Sequence, residues 1–147
     1  MIRVAAVAAA VLVLSGCSLL GVPADDGDDV FSIVVGDCLN DADVPDEVTT
    51  LPIVDCAEPH DSEVFARTEA AGDDFPGSDV LHGTLVEFCR GDAFTEFVGI
   101  PFAESRYGTR GYFPTSESWA NGDRELLCTL VDESGARLTG SLAGVEE

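Results

Sequence analysis

Leu14-Ser15-Gly16-Cys17 divides the five cysteines of this chain into one and four. An apolar residue, two small residues and a cysteine make a bacterial lipobox, so Cys17 is expected to become the lipidated first residue of the mature chain. A diacylglycerol on its sulfur, carrying palmitate-type chains, supplies two hydrophobic signals, enough for a stable anchor. The expected place is the extracytoplasmic face of the cell membrane, with the membrane itself a partner through Cys17. Cys38, Cys56, Cys89 and Cys128 remain, an even number in an oxidising compartment, and predict two disulfides. Four cysteines pair in three ways. The order of elements favours Cys38–Cys56, closing a loop between consecutive extended segments, and Cys89–Cys128, tying a helix to a later strand. No CxxC spacing points to a zinc ribbon or a redox motif, and no metal or cofactor is expected.

Residues 1–16 read as a signal peptide. Arg3 and the amino terminus supply its positive end, and Val4 to Leu14 is an apolar run too short to span a bilayer. Residues 17–29 read as a tether, broken by Gly21, Pro23 and Gly27 and charged by Asp25, Asp26, Asp28 and Asp29. Residues 30–144 are the length of one ordinary domain. The sequence has 28 acidic residues against 7 basic ones and a net charge of −21, and loss of Arg3 with the leader makes the mature chain one unit more negative. Such a chain repels nucleic acid and anionic headgroups, so nucleic acid is excluded as a partner.

Within the domain the pattern predicts an α+β fold: a small antiparallel sheet with one broken helix packed on it, braced by two disulfides. Val30 to Val35 is β-prone and stops at Gly36-Asp37. Val48 to Cys56 is extended, with a bend at Pro52, and Glu63 to Thr68 reads as a strand. Ser78 is the expected N-cap of a helix on which Leu81, Leu85, Phe88 and Cys89 share one face. Gly91 interrupts it, and Gly99 and Pro101 end it. Phe102 to Tyr112 reads as a glycine-punctuated loop. Arg124 to Val131 is the strongest strand, expected to form a hairpin with Arg137 to Leu142 across Asp132–Gly135.

Few residues have the types that carry chemistry. His60 with Glu63 nearby is a candidate general base for a cell-wall hydrolase, although a turn histidine bonded to a backbone carbonyl explains it more simply. His82 reads as a surface residue of the helix. Trp119, Tyr107 and Tyr112 near Arg106 and Arg110 form the one aromatic and basic group in an acidic chain, and Arg106, Tyr107, Arg110 and Trp119 are the candidate partner-binding residues.

Gly36-Asp37-Cys38-Leu39, Val54-Asp55-Cys56, Pro59-His60, Glu63-Val64, Phe97-Val98-Gly99, and Pro114-Thr115 through Trp119, Gly122-Asp123-Arg124 and Cys128 follow one another in order. In this series the chain resembles the septum formation domain family of bacterial envelope proteins. The resemblance spans about residues 31–142. It implies an extracytoplasmic α+β domain associated with septum formation, and it implies no catalytic residues. The poverty of catalytic groups makes a binding or scaffold module acting on envelope or division proteins the leading expectation. The alternatives are the hydrolase and a lipoprotein that binds a small ligand.

Overall fold

A computed structural model of the chain describes residues 28, 29, 32–42, 44 and 50–147; the expected signal peptide, Cys17 and most of the expected tether lie outside the described residues. No helix among the described residues is long and apolar enough to cross a membrane.

The architecture follows from strand β7, Glu125–Asp132, in which every residue from Leu126 to Val131 is buried. A strand buried on both faces has to be central and covered on both sides. Strand β5 (Ser62–Glu69) pairs with one edge of β7 and β6 (Tyr107–Tyr112) with the other, both antiparallel. Two short strands extend the β5 side, β2 (Cys38–Leu39) and β4 (Ile53–Val54), giving a five-stranded antiparallel sheet in the order β4-β2-β5-β7-β6. The segments β1 (Asp28–Asp29) and β3 (Thr50–Leu51) pair separately.

Alternation sorts the side chains into two cores. Leu126, Cys128 and Leu130 enter a core with Phe65, Leu81, Leu85, Phe94, Val98 and Trp119. Leu127, on the opposite face, packs with Ile33, Leu39, Leu51 and Val64. An irregularity in β5 between Val64 and Ala66 places Phe65 and Ala66 in the same core, which a regular strand would not allow.

The broken helix is as the periodicity predicts: α1 (Ser78–Cys89) buries Leu81, Leu85 and Cys89, and α2 (Asp92–Val98) buries Phe94 and Val98 before Gly99 closes it at φ +98°. α1 packs on β6 and β7, and α2 on β5. The N-cap of α1 is Gly77, at φ +100°, so Ser78 is the first helical residue and makes no side-chain cap bond. The short α3 (Ser116–Ala120) starts in a Thr115–Ser118 capping box, worth about 1 kcal/mol.

Both disulfides have the expected partners. Cys38–Cys56 spans Cα atoms 5.2 Å apart, and Cys89–Cys128 spans 5.6 Å. The separations of 18 and 39 residues correspond to roughly 3 and 4 kcal/mol of unfolded-state restriction. Cross-strand pairing sets Cys38 opposite Glu63 and Glu63 opposite Leu130, so both bridges lie on the helix-bearing face.

Three further expectations are corrected. Ser32 to Val35 is not a strand: the Asp37 carboxylate accepts the Val34 N–H at 2.8 Å and holds a turn that competes with pairing; Val30 and Phe31 lie outside the described residues. Arg137 to Leu142 forms no hairpin with β7, because β5 and β6 occupy both edges of that strand. Leu138 instead makes a single antiparallel bridge to His60. Tyr107 to Tyr112, read as loop on account of its glycines, is strand β6. Gly111 belongs there for close approach: a Cβ on it would stand 2.1 Å from the Leu127 carbonyl oxygen.

Gly111→Ala is therefore expected to lower stability by about 1–3 kcal/mol as β6 is pushed off β7. Gly83→Ala, mid-helix where an added Cβ meets nothing within 4 Å, is expected to raise it by up to about 1 kcal/mol. Denaturant midpoints of the two variants check the contrast.

Candidate functional site

The predicted aromatic and basic group is divided by the fold. Trp119 is 3% exposed. Its indole N–H donates to the Asp73 carbonyl at 2.9 Å, the Phe75 ring meets its edge, and the Arg124 guanidinium lies 3.7 Å from its ring centroid. Arg124 also donates to the carbonyls of Gly72, Asp73, Trp119 and Asp123. Trp119 and Arg124 thus clamp the 70–77 connection onto α3. Tyr107 is buried too, with its hydroxyl accepting from Arg106, whose guanidinium also pairs with Glu147 at 3.1 Å. Arg110 is exposed on β6. No hydrogen bond or ring contact joins Trp119 to Arg106, Tyr107 or Arg110 among the described residues. The four do not form one surface.

His60 and Glu63 are both fully buried. His60 Nδ1 bonds the Glu58 carbonyl at 2.9 Å, so that nitrogen carries the proton, and Nε2 has no hydrogen-bond partner. Both main-chain groups of His60 bond Leu138. Glu63 accepts from the Ser141 hydroxyl at 2.5 Å and the Leu142 N–H at 2.6 Å. Each residue fastens the C-terminal segment to the sheet, and no hydrogen bond joins the two. The sulfurs of Cys38 and Cys56 and a Glu63 carboxylate oxygen lie within 4.8 Å of one another. Sulfurs joined in a disulfide offer no thiolate, so this trio does not constitute a metal site.

On the opposite face a polar node links three elements. Asp41 Oδ2 accepts from the Ser62 hydroxyl on β5 and the Tyr112 hydroxyl on β6, each at 2.8 Å. Burial, then the Asp41 negative charge and the hydrogen bond to it, push the Tyr112 phenol well above its ordinary value of 10.0. Asp41 Oδ1 and Thr129 Oγ1, both buried, have no hydrogen-bond partner.

An open concave feature lies on the helix side. Strand β2 pairs with β5 only at Ser62 and Glu63, and the Val34–Asp37 turn bonds it at Val64. Beyond that point the space between β5 and α2 opens as a groove of about 540 Å³. Its walls are Val35, Phe65, Ala66, Phe88, Ala93 and Phe97, and Arg67, Asp92 and Glu96 complete its lining. Arg67 is held by Glu125 and by the Ile33 carbonyl. Neither the groove nor the Asp41 node was among the candidates read from sequence. The spacing of Asp92 and Glu96, four apart with Ala93 and Phe97 beside them, was the available signal for the groove. The end of the turn at Val35, which completes it, has no such signal.

A family model described as septum formation matches residues 35–146, more than half of the chain. The chain belongs to the septum formation family. No curated protein and no solved structure matches it. Membership ties the chain to the septum and the cell envelope, and the matched region takes in both disulfides, the Asp41 node and the groove.

In this septum formation domain Tyr112→Phe removes one donor from Asp41 and is expected to cost about 1–2 kcal/mol near neutral pH. The folded phenol titrates above the unfolded one, so above 10.0 the unfolded chain loses its proton first. Wild-type stability from this group is therefore complete below that pH and falls as pH rises above it. The gap between wild type and Tyr112→Phe is expected to narrow at alkaline pH, measured by denaturant unfolding on both sides of the window.

Proposed function

We propose that this septum formation domain is a lipid-anchored, extracytoplasmic binding module that holds a partner protein of the envelope or division machinery in the groove between β5 and α2. The observation that carries the reading is the groove itself: aromatic and aliphatic walls open to solvent, beside the exposed Val34 and Val35, on an otherwise strongly acidic domain. Sites that take small molecules enclose most of the ligand surface, whereas an open apolar groove suits a chain segment. The hydrolase reading has less support, since His60 and Glu63 are buried and each is spent on the C-terminal segment. Leu14-Ser15-Gly16-Cys17 supports the anchor, and two disulfides suit an oxidising compartment.

The test is photocrosslinking in intact cells from Glu96 at the groove and from Glu133, which lies against Gly108 of β6. Glu96 is expected to capture a defined envelope or division protein that Glu133 does not, and Cys17→Ala is expected to leave the precursor uncleaved or free of the membrane. Equal capture from both positions contradicts the groove as the site. A Cys17→Ala chain still processed and still partitioning with detergent contradicts the anchor.

A further inference from the structure

We infer that the occupant of the β5–α2 groove is a cationic peptide segment of the partner, presenting an apolar side chain flanked by arginine or lysine. The inference rests on the groove being the partner site and adds the chemistry of what it holds. Three observations converge on it.

The first is the floor. Phe88, Ala93 and Phe97 are only partly buried and pack against the helix-side core, with the Phe65 ring centroid 6.1 Å from that of Phe97. Val34 and Val35, at 53% and 45% exposure, are two of the three large apolar side chains left exposed on the described surface, and Val35 lines the groove. Apolar surface is thus concentrated where the groove is, which calls for an apolar side chain to cover it.

The second is the rim. Asp92 and Glu96 stand one turn apart on α2, both exposed, and neither forms an ion pair with any described residue. The one cation in the lining, Arg67, is committed to Glu125. The rim therefore carries unbalanced negative charge directly beside aromatic rings. An acidic or neutral occupant leaves those carboxylates uncompensated, whereas a guanidinium or ammonium meets them and the ring faces together.

The third is the behaviour of the chain's own arginines. Arg90 sits 4.8 Å from the ring centroid of Phe102, and Arg106 sits 4.8 Å from that of Tyr107. Three of the six described arginines, Arg90, Arg106 and Arg124, lie over aromatic rings. At the groove the rings and carboxylates are present and the cation is left for the partner. The net charge of −21 steers such a segment toward the domain from a distance, and the groove supplies the local fit.

The overall charge also sets the control, because any cationic peptide is drawn to an acidic protein. The full chain in nanodiscs of neutral phospholipid is titrated with a short peptide of arginine, phenylalanine and serine, and with two matched peptides carrying glutamate for arginine or serine for phenylalanine. The arginine–phenylalanine peptide is expected to bind tightest. Glu96→Lys is expected to weaken it by about tenfold, and Glu133→Lys, an equal change of charge, by less than about twofold. Equal losses from the two sites overturn the inference by showing diffuse attraction. Equal or tighter binding of the glutamate peptide overturns the cationic chemistry, while a groove-specific crosslink from Glu96 leaves the groove standing as the partner site. Absence of binding by all three peptides together with absence of that crosslink overturns both.

Discussion

The bond between Cys89 and Cys128 joins the last turn of α1 to the middle of β7, and most of the helix-side core is arranged around it. Cys128 stands between Leu126 and Leu130 on the face that meets Leu81, Leu85, Phe94 and Val98. Fixing α1 there leaves α2 to turn at Gly91 and descend over β5, so that Phe94 meets Phe65 edge-on with ring centroids 5.8 Å apart. The second disulfide and Glu63 act at the other end of the same face: Cys38 is tied to Cys56, and the Glu63 carboxylate holds Ser141 and Leu142. A domain of this size builds a real core without staples, so the bridges set relative positions of elements as much as they add stability.

Most of the residues that carry the resemblance do architectural work. Gly36 and Asp37 form the turn that bonds β5 at Val64. Pro59-His60 begins the bridge to Leu138, and Trp119 with Arg124 clamps the 70–77 connection. Arg106 ties the C-terminal residue to the start of β6. These residues account for how the domain is built. The groove shares Phe97 with that series but otherwise draws on different residues, chiefly Phe88, Asp92, Ala93 and Glu96.

The elements with strong local signals were legible in the sequence. The broken helix was readable from the spacing of Leu81, Leu85 and Cys89 and from the breakers Gly91 and Gly99, β7 from its alternating apolar run, and the disulfide pairing from the order of elements. What was not legible depended on competition for edges. Arg137 to Leu142 has the pattern of a hairpin return, yet the edge it needs is taken by β6, a strand disguised by its glycines, of which Gly111 is there for close approach to β7. Trp119 is the residue type of a binding anchor, and only tertiary packing places it beneath Arg124. The Asp41 node unites residues 71 positions apart in sequence, a relation no local pattern carries.

The account depends on the helix and the sheet being bridged on one face, with the N-terminal segment bridged separately. Mass mapping of the non-reduced mature protein tests this most directly. The account predicts two independent cross-linked peptide pairs, Cys38 with Cys56 and Cys89 with Cys128. A Cys38–Cys128 or Cys56–Cys89 link, or four free thiols, would contradict the placement of α1 on β7 and with it the groove beside α2.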